Sequence, residues 1–238
     1  MFNCLLENRC KMYESIREKL DTDGYVVMEE FLWPEECDEL SDAGLEFTTE
    51  LPDADQRTVF STTDAMNKHA KDTYFFESND KIRPFFEEAA LNADGSLKVP
   101  ANVSLNKPTP PIGFWIALED ATVQNGCLWI AAGSHKSGVH RRMLRNPDTE
   151  SKELMIYDKP APIYPESSFT AVPVSKGSCI ILHGHVVHKS AVNKSDKPRP
   201  AYTFHVIEKY NNQYAPENWL QEGENAPFQN LYTTMQMM

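Results

Sequence analysis

Basic charge is scarce in this 238-residue chain. Twenty-three Lys plus Arg stand against 35 Asp plus Glu, a net charge of −12. That argues against a general nucleic-acid or anionic-membrane binder, which needs a basic face. Cysteine is also sparse. Cys4, Cys10, Cys37, Cys127 and Cys179 are odd in number, and no pair has CxxC spacing. Neither a disulfide framework nor a zinc ribbon is indicated, and reduced, buried thiols are expected. Long apolar runs are missing: none approaches the ~20 residues of a membrane span. The opening MFNCLLENRCKMYESIREKL carries charge throughout, unlike a signal peptide. The chain closes on Met237 and Met238, not on a peroxisomal SKL. A cytoplasmic location is expected. Ten glycines against 16 prolines imply rigid loops and argue against a helix bundle.

What is present is enough for a core. Twelve Phe, nine Tyr and four Trp exclude wholesale disorder. The length exceeds that of most single domains, at ~100–200 residues each, but one domain is expected. Residues 5–20 read as an amphipathic helix, with Tyr13, Ile16 and Leu20 on one face. The helix stops at the Asp23–Gly24 turn, and Tyr25, Val26 and Val27 begin a strand. Pro34 with Glu35 and Glu36 opens a second helix, with carboxylates at the positive dipole end. Leu40, Phe47 and Leu51 continue that helix. Residues 52–72 read as loop, and Phe75, Phe76, Phe85 and Phe86 as helical or irregular. From residue 112 short apolar runs alternate with turn residues: Ile112–Leu118, Cys127–Ile130, a weak candidate at 154–157, 169–174, Cys179–Val187 and Ala201–Ile207. Five or six such strands predict a β-sandwich or jelly roll preceded by helices. Asn125–Gly126 between two apolar runs predicts a hairpin.

Histidine is rare, seven in all, and His183, His185 and His188 fall in one stretch. On a straight strand, His183 and His185 share one face and His188 takes the other. That argues against a three-histidine metal site and leaves one ligand from the stretch plausible. Eleven residues past His188 comes Arg199, ahead of a strand. The imidazole can bind a metal, and the guanidinium fork a carboxylate. A structural histidine and a surface arginine are the plainer alternative.

Several segments carry a resemblance. They are GFWIALEDATVQNGCLW at 113–129, GSH at 133–135, and His188, Ser190, Asn193, Arg199, Ala201 and Tyr202 in order. The likeness extends to DGY at 23–25, DKIR at 80–83, LNK at 105–107 and PENWL at 216–220. Together these resemble the phytanoyl-CoA dioxygenase family of Fe(II)/2-oxoglutarate oxygenases, over nearly the whole chain. The resemblance implies an α+β, mainly β fold: a double-stranded β-helix, or jelly roll, with N-terminal helices. It implies Fe(II) and 2-oxoglutarate as cofactors, with 2-oxoglutarate the small-molecule cosubstrate and neither nucleic acid nor membrane a partner. By the same resemblance His188 is the distal iron ligand. Arg199 faces the distal carboxylate of 2-oxoglutarate with Ser190 beside it, and Trp115 and Lys107 line the cosubstrate pocket. His135, His183 and His185 read as structural, and Trp129 and Trp219 as packing residues.

One departure matters. The family's iron is held by His-X-Asp plus the distal histidine. None of the seven histidines here (His69, His135, His140, His183, His185, His188, His205) is followed two residues on by Asp or Glu. In the relatives, a long stretch after the Leu-Asn-Lys motif carries His-X-Asp. Here Lys107 runs directly into Pro108. The missing stretch is on the order of 70 residues, enough for two or three strands. Glu119 and Asp120 are the nearest substitute carboxylates, and nothing in the spacing aims them at His188.

The expected layout is therefore one domain. Residues 1–107 form its N-terminal helical part, and 108–238 a truncated jelly-roll core with a C-terminal extension. The absent strands would pair beside those carrying His188 and Arg199, leaving open sheet edges. Three readings stand: a working oxygenase, a non-catalytic and internally deleted form of one, or a module that kept an anion pocket and lost its metal.

Overall fold

The computed structural model describes residues 2–46, 59–60, 74, 86–87, 112–207, 214–222 and 227–230. Helix α1 spans Phe2–Asp23. Its Ile16 and Leu20, four apart, pack on the core, whereas Tyr13 is exposed. The expected packed face therefore excludes Tyr13. Gly24 ends the helix at φ +82°, a left-handed turn that suits glycine. Strand β1, Tyr25–Met28, follows. Helix α2, Pro34–Glu46, starts as expected, with Pro34 in its first turn. The Trp33 N–H donates to the Glu36 carboxylate at 2.8 Å, one half of a capping box. The helix is described only as far as Glu46, so the expected Phe47 and Leu51 lie outside the described residues.

The 52–72 loop and the Phe75, Phe76 and Phe85 segment also fall outside them, with two exceptions. Val59–Phe60 (β2) pairs in parallel with Phe86–Glu87 (β3), so both pieces are strand rather than loop or helix.

The remaining strands are Ile112–Ala117 (β4), Leu128–Ile130 (β5), Met143–Arg145 (β6), Met155–Tyr157 (β7), Thr170–Val172 (β8), Cys179–His183 (β9), His188–Ser190 (β10) and Ala201–Val206 (β11). Two antiparallel sheets hold most of them. One runs β1-β9-β4-β11 and the other β10-β5-β8. β6 and β7 make a separate ribbon, which packs Met155 and Met143 against Trp219.

Strand alternation sorts the side chains by face. Trp115, Ala117, Ile180 and Leu182 of the larger sheet meet Leu128, Ile130 and Val172 of the smaller one. Val26, Ile116, Cys179 and Ile181 face the other way, onto Ile16, Leu20, Leu32 and Leu40 around the helices. Ile180 is fully buried, a contribution of about 1.5–3 kcal/mol. The result is a mainly β, jelly-roll-like sandwich with helices on the outer face of one sheet. No described helix is long and apolar enough to cross a membrane.

Two expectations need correction. Asn125–Gly126 is not a hairpin. β4 and β5 lie in different sheets, so the segment carries the chain from one sheet to the other. The Asn125 side chain is used within the loop. Its amide donates to the Asp120 carbonyl at 2.8 Å, and its oxygen accepts the Thr122 N–H at 2.6 Å. Gly126 sits at φ +93°, where a Cβ would meet the Ala191 carbonyl at 2.8 Å. Nor is Cys179–Val187 one strand. It breaks after His183, where the Val186 N–H donates to the His183 carbonyl at 2.9 Å. The chain then re-enters the other sheet as β10.

β10 and β11 are both edge strands. Among the described residues each pairs on one side only.

Candidate functional site

β10 pairs with β5 so that His188 lies opposite Ile130 and Ser190 opposite Leu128. Cross-strand partners share a face, so His188 and Ser190 look between the sheets. A hydrogen bond from Val187 N–H to the Ser134 hydroxyl, at 2.8 Å, anchors the approach to β10. The His188 Nδ1 lies 3.0 Å from the Val186 carbonyl. A carbonyl only accepts, so Nδ1 carries the proton and Nε2 keeps its lone pair. The residue is exposed at the edge of the smaller sheet. The protein packed about its ring lowers its pKa, and the hydrogen bond to Val186 opposes that shift.

The larger sheet contributes the facing wall. Trp115 is buried on the inner face of β4, opposite Thr203 of β11. The Arg199 guanidinium carbon stands 5.2 Å from the Trp115 ring centroid, within cation–π range. The loop from β10 to β11 turns on Asn193. Its amide donates to the Lys197 carbonyl at 2.7 Å, and its oxygen accepts the Ser195 N–H at 2.9 Å. That turn brings Arg199 back beside Gly126, where its Nε lies 3.7 Å from the Cβ position. His188 and Ser190 on the smaller sheet, and Trp115 with Arg199 against it on the larger, therefore face the space between the sheets. Lys107 lies outside the described residues.

His205 joins them and was not singled out from the sequence. The alternation of β11 puts it on the inner face with Ala201 and Thr203, opposite Gly113. The residue is exposed at the edge strand, yet the protein packed about its ring, and then His188, push its pKa down to about 4. The signal available in the sequence was its spacing: His205 shares parity with Ala201 and Thr203 along β11.

The other histidines stay apart. His183 belongs to the outer face of β9. Its ring centroid is 4.9 Å from that of His135 and 5.2 Å from that of His185. His135 is buried in a short 3-10 turn, with Nε2 3.2 Å from the Asp21 carbonyl. His183 and His188 thus lie on different faces of different sheets. Glu119 and Asp120 are engaged elsewhere: Glu119 lies 3.8 Å from the Lys176 ammonium, and Asp120 accepts the Lys176 N–H at 2.8 Å.

Comparison with known proteins decides the family. The model of "Phytanoyl-CoA dioxygenase (PhyH)" matches residues 102–201. The "Phytanoyl-CoA dioxygenase domain-containing protein 1 homolog" of Caenorhabditis elegans is 37% identical over 284 aligned positions, covering 91% of this chain and 98% of the relative. The chain belongs to the phytanoyl-CoA dioxygenase family.

The Danio rerio "Phytanoyl-CoA dioxygenase domain-containing protein 1" agrees, at 33% identity over 91% of this chain and 97% of the relative. Among solved structures, the epimerase SnoN, in complex with Fe3+, alpha ketoglutarate and nogalamycin RO, is 17% identical. It covers 91% of this chain and 98% of its own, with a TM-score of 0.48. The nematode alignment also measures a difference within the family. Ninety-one per cent of 238 residues is about 217, set against 284 aligned positions, so about 67 positions have no counterpart here.

The family's iron can be tested against the donors present. His188 is suited to bind a metal, with Nδ1 tied to a carbonyl and Nε2 turned away. No second and third donor join it: among the described residues no three His, Cys, Asp or Glu side chains cluster in a way that holds a metal ion. The described residues therefore do not fit an iron site of the family's kind.

Proposed function

We propose that this chain is a non-catalytic, internally deleted form of a 2-oxoglutarate-dependent oxygenase that keeps the carboxylate end of the keto-acid pocket. One observation carries the reading: nowhere in 238 residues does His-X-Asp or His-X-Glu occur. Fe(II) has six coordination positions, and an oxygenase fixes three of them with protein groups. One imidazole cannot hold the ion against water and cellular chelators, nor keep the open positions in place.

The deletion lies at Lys107–Pro108, where the motif that precedes the gap and the one that follows it both survive. The roughly 67 unmatched positions support a deletion of that size, and the edge places of β10 and β11 suit strands lost from beside them. Strands removed from beside β10 and β11 leave an incomplete double-stranded β-helix. Its layout is a helical part at 1–107 and a truncated core with its extension at 108–238, together one domain. His188 is the surviving metal-type ligand. Lys107, Trp115, Ser190 and Arg199 make the retained cosubstrate wall, with the Arg199 fork on the distal carboxylate. Cys37, Cys127 and Cys179 are free and buried, which suits the reducing cytoplasm.

The test is direct. The purified chain is given Fe(II), ascorbate and 2-oxoglutarate, and succinate is measured. No succinate above the protein-free control is expected. Stoichiometric iron with steady turnover overturns the reading. Restoring the relatives' segment after Lys107 is expected to restore iron binding. The retained pocket has its own assay: calorimetry with 2-oxoglutarate in excess chelator.

A further inference from the structure

We infer that His205 is a further binding residue of this pocket, closing the end opposite Arg199 and hydrogen-bonding the keto-acid end of a five-carbon dicarboxylate without any metal. The inference rests on the reading above, that the pocket survives the loss of iron.

The geometry begins with β4 and β11. Their register sets Thr203 against Trp115 and His205 against Gly113. Gly113 and Trp115 share the inner face of β4. Residues two apart on a strand face stand about 6.7 Å from one another. Arg199 approaches the indole from the Gly126 side, and His205 lies over Gly113. A ligand along the Trp115 wall thus has a guanidinium at one end and an imidazole at the other.

The imidazole edge rests against the Gly113 backbone. A Cβ there would stand 3.4 Å from His205 Nε2 and 3.5 Å from Cδ2, ordinary van der Waals contact. His188 faces the same end from the other sheet, and its charge contributes to lowering the His205 pKa. The Nδ1–H of His188 is committed to Val186, so its Nε2 only accepts. A keto oxygen and a carboxylate both need donors. His205 is the group at this end able to supply an N–H, since an imidazole carries at least one.

The role separates two ligands. 2-Oxoglutarate has a keto oxygen beside one carboxylate, whereas glutarate has the same chain without it. Both satisfy Arg199, and only the first gives His205 its additional acceptor. Calorimetry in excess chelator is run with each ligand on the wild-type chain and on the His205→Phe, His205→Gln and Arg199→Met variants. Thermal unfolding confirms that each variant is folded.

The wild type is expected to prefer 2-oxoglutarate by about ten-fold, the worth of one hydrogen bond to a charged ligand. His205→Phe is expected to abolish that preference, weakening 2-oxoglutarate by about ten-fold more than glutarate. His205→Gln, which keeps a donor, is expected to restore part of it. Arg199→Met is expected to weaken both ligands equally. If His205→Phe does not fold, His205→Leu replaces it, because it too lacks an N–H; the same loss of preference is expected. Binding of both ligands with no preference, or a preference that persists in the His205→Phe variant, overturns the inference and leaves the retained pocket standing. Equal weakening of both ligands in the folded His205→Phe variant also overturns it. No binding of either ligand by the wild type overturns the retained pocket, and the inference falls with it.

Discussion

Gly24 is where a single methyl group tests the packing behind the site. The residue sits at φ +82°, between α1 and β1. Alanine in that left-handed conformation costs about 1–2 kcal/mol. Its Cβ would also lie 2.5 Å from His135 Nδ1 and 2.9 Å from Val186 Cγ2. His135 and Val186 are both buried, at 8% and 4% exposure, so neither yields freely. His135 is further held by the Asp21 carbonyl. Overpacking of this kind costs about 1–3 kcal/mol. Gly24→Ala is therefore expected to lose about 2–5 kcal/mol in urea unfolding, with m unchanged. The two contributions separate in a double-mutant cycle with His135→Ala. Removing the ring relieves one clash but not the backbone strain, so a favourable coupling of about 1–3 kcal/mol is expected. The Val186 carbonyl is the partner of His188 Nδ1, so the strain also reaches the site. A Gly24→Ala variant as stable as the wild type, or zero coupling to His135, refutes the account of this turn.

Three other outcomes follow from the same geometry. Ile130 is 1% exposed and lies opposite His188; Ile130→Ala is expected to cost about 2–5 kcal/mol in urea unfolding, and a loss below about 1 kcal/mol contradicts a core enclosed by the two sheets. Glu36→Ala removes the acceptor for the Trp33 N–H and is expected to cost about 1 kcal/mol, or about 2–4 °C in Tm; an unchanged Tm removes the cap from the explanation of α2. The third concerns pH. Burial, then His135 and His185, lower the His183 pKa below 6.5, with Asp21 opposing. The folded chain therefore binds this proton less readily than the unfolded chain. Stability is full above pH 6.5 and is lost as the pH falls from there toward the folded pKa. His183→Gln is expected to flatten the fall of Tm between pH 7 and pH 5, and an equally steep fall assigns it to other groups.

The helices and strands were largely legible because each follows a local rule. Pro34 with Glu36 marked the start of α2, and Asp23–Gly24 its predecessor's end. The errors arose where partners are distant. Asn125–Gly126 has hairpin chemistry, but hairpins need adjacent strands, and β4 found β9 and β11 instead. The run from Cys179 to Val187 was apolar enough for one strand, yet its two ends serve two sheets. Tyr13 had the right spacing for the buried stripe, but at that turn α1 faces solvent.

For the site, the sequence alone determined what chemistry is available. Its motifs place the chain in its family, and none of its histidines is followed two residues on by Asp or Glu. Both are properties of covalent order and need no fold. Only the tertiary structure decided which groups meet. It separated His183 from His188 by sending them to different sheets, and it tied Glu119 and Asp120 to Lys176. It also brought His205 opposite Gly113, across from His188. The reason is physical: proximity in a sandwich is set by strand pairing between segments far apart in sequence. Register and face, which fix each meeting, exist only once the sheets have closed over their shared core.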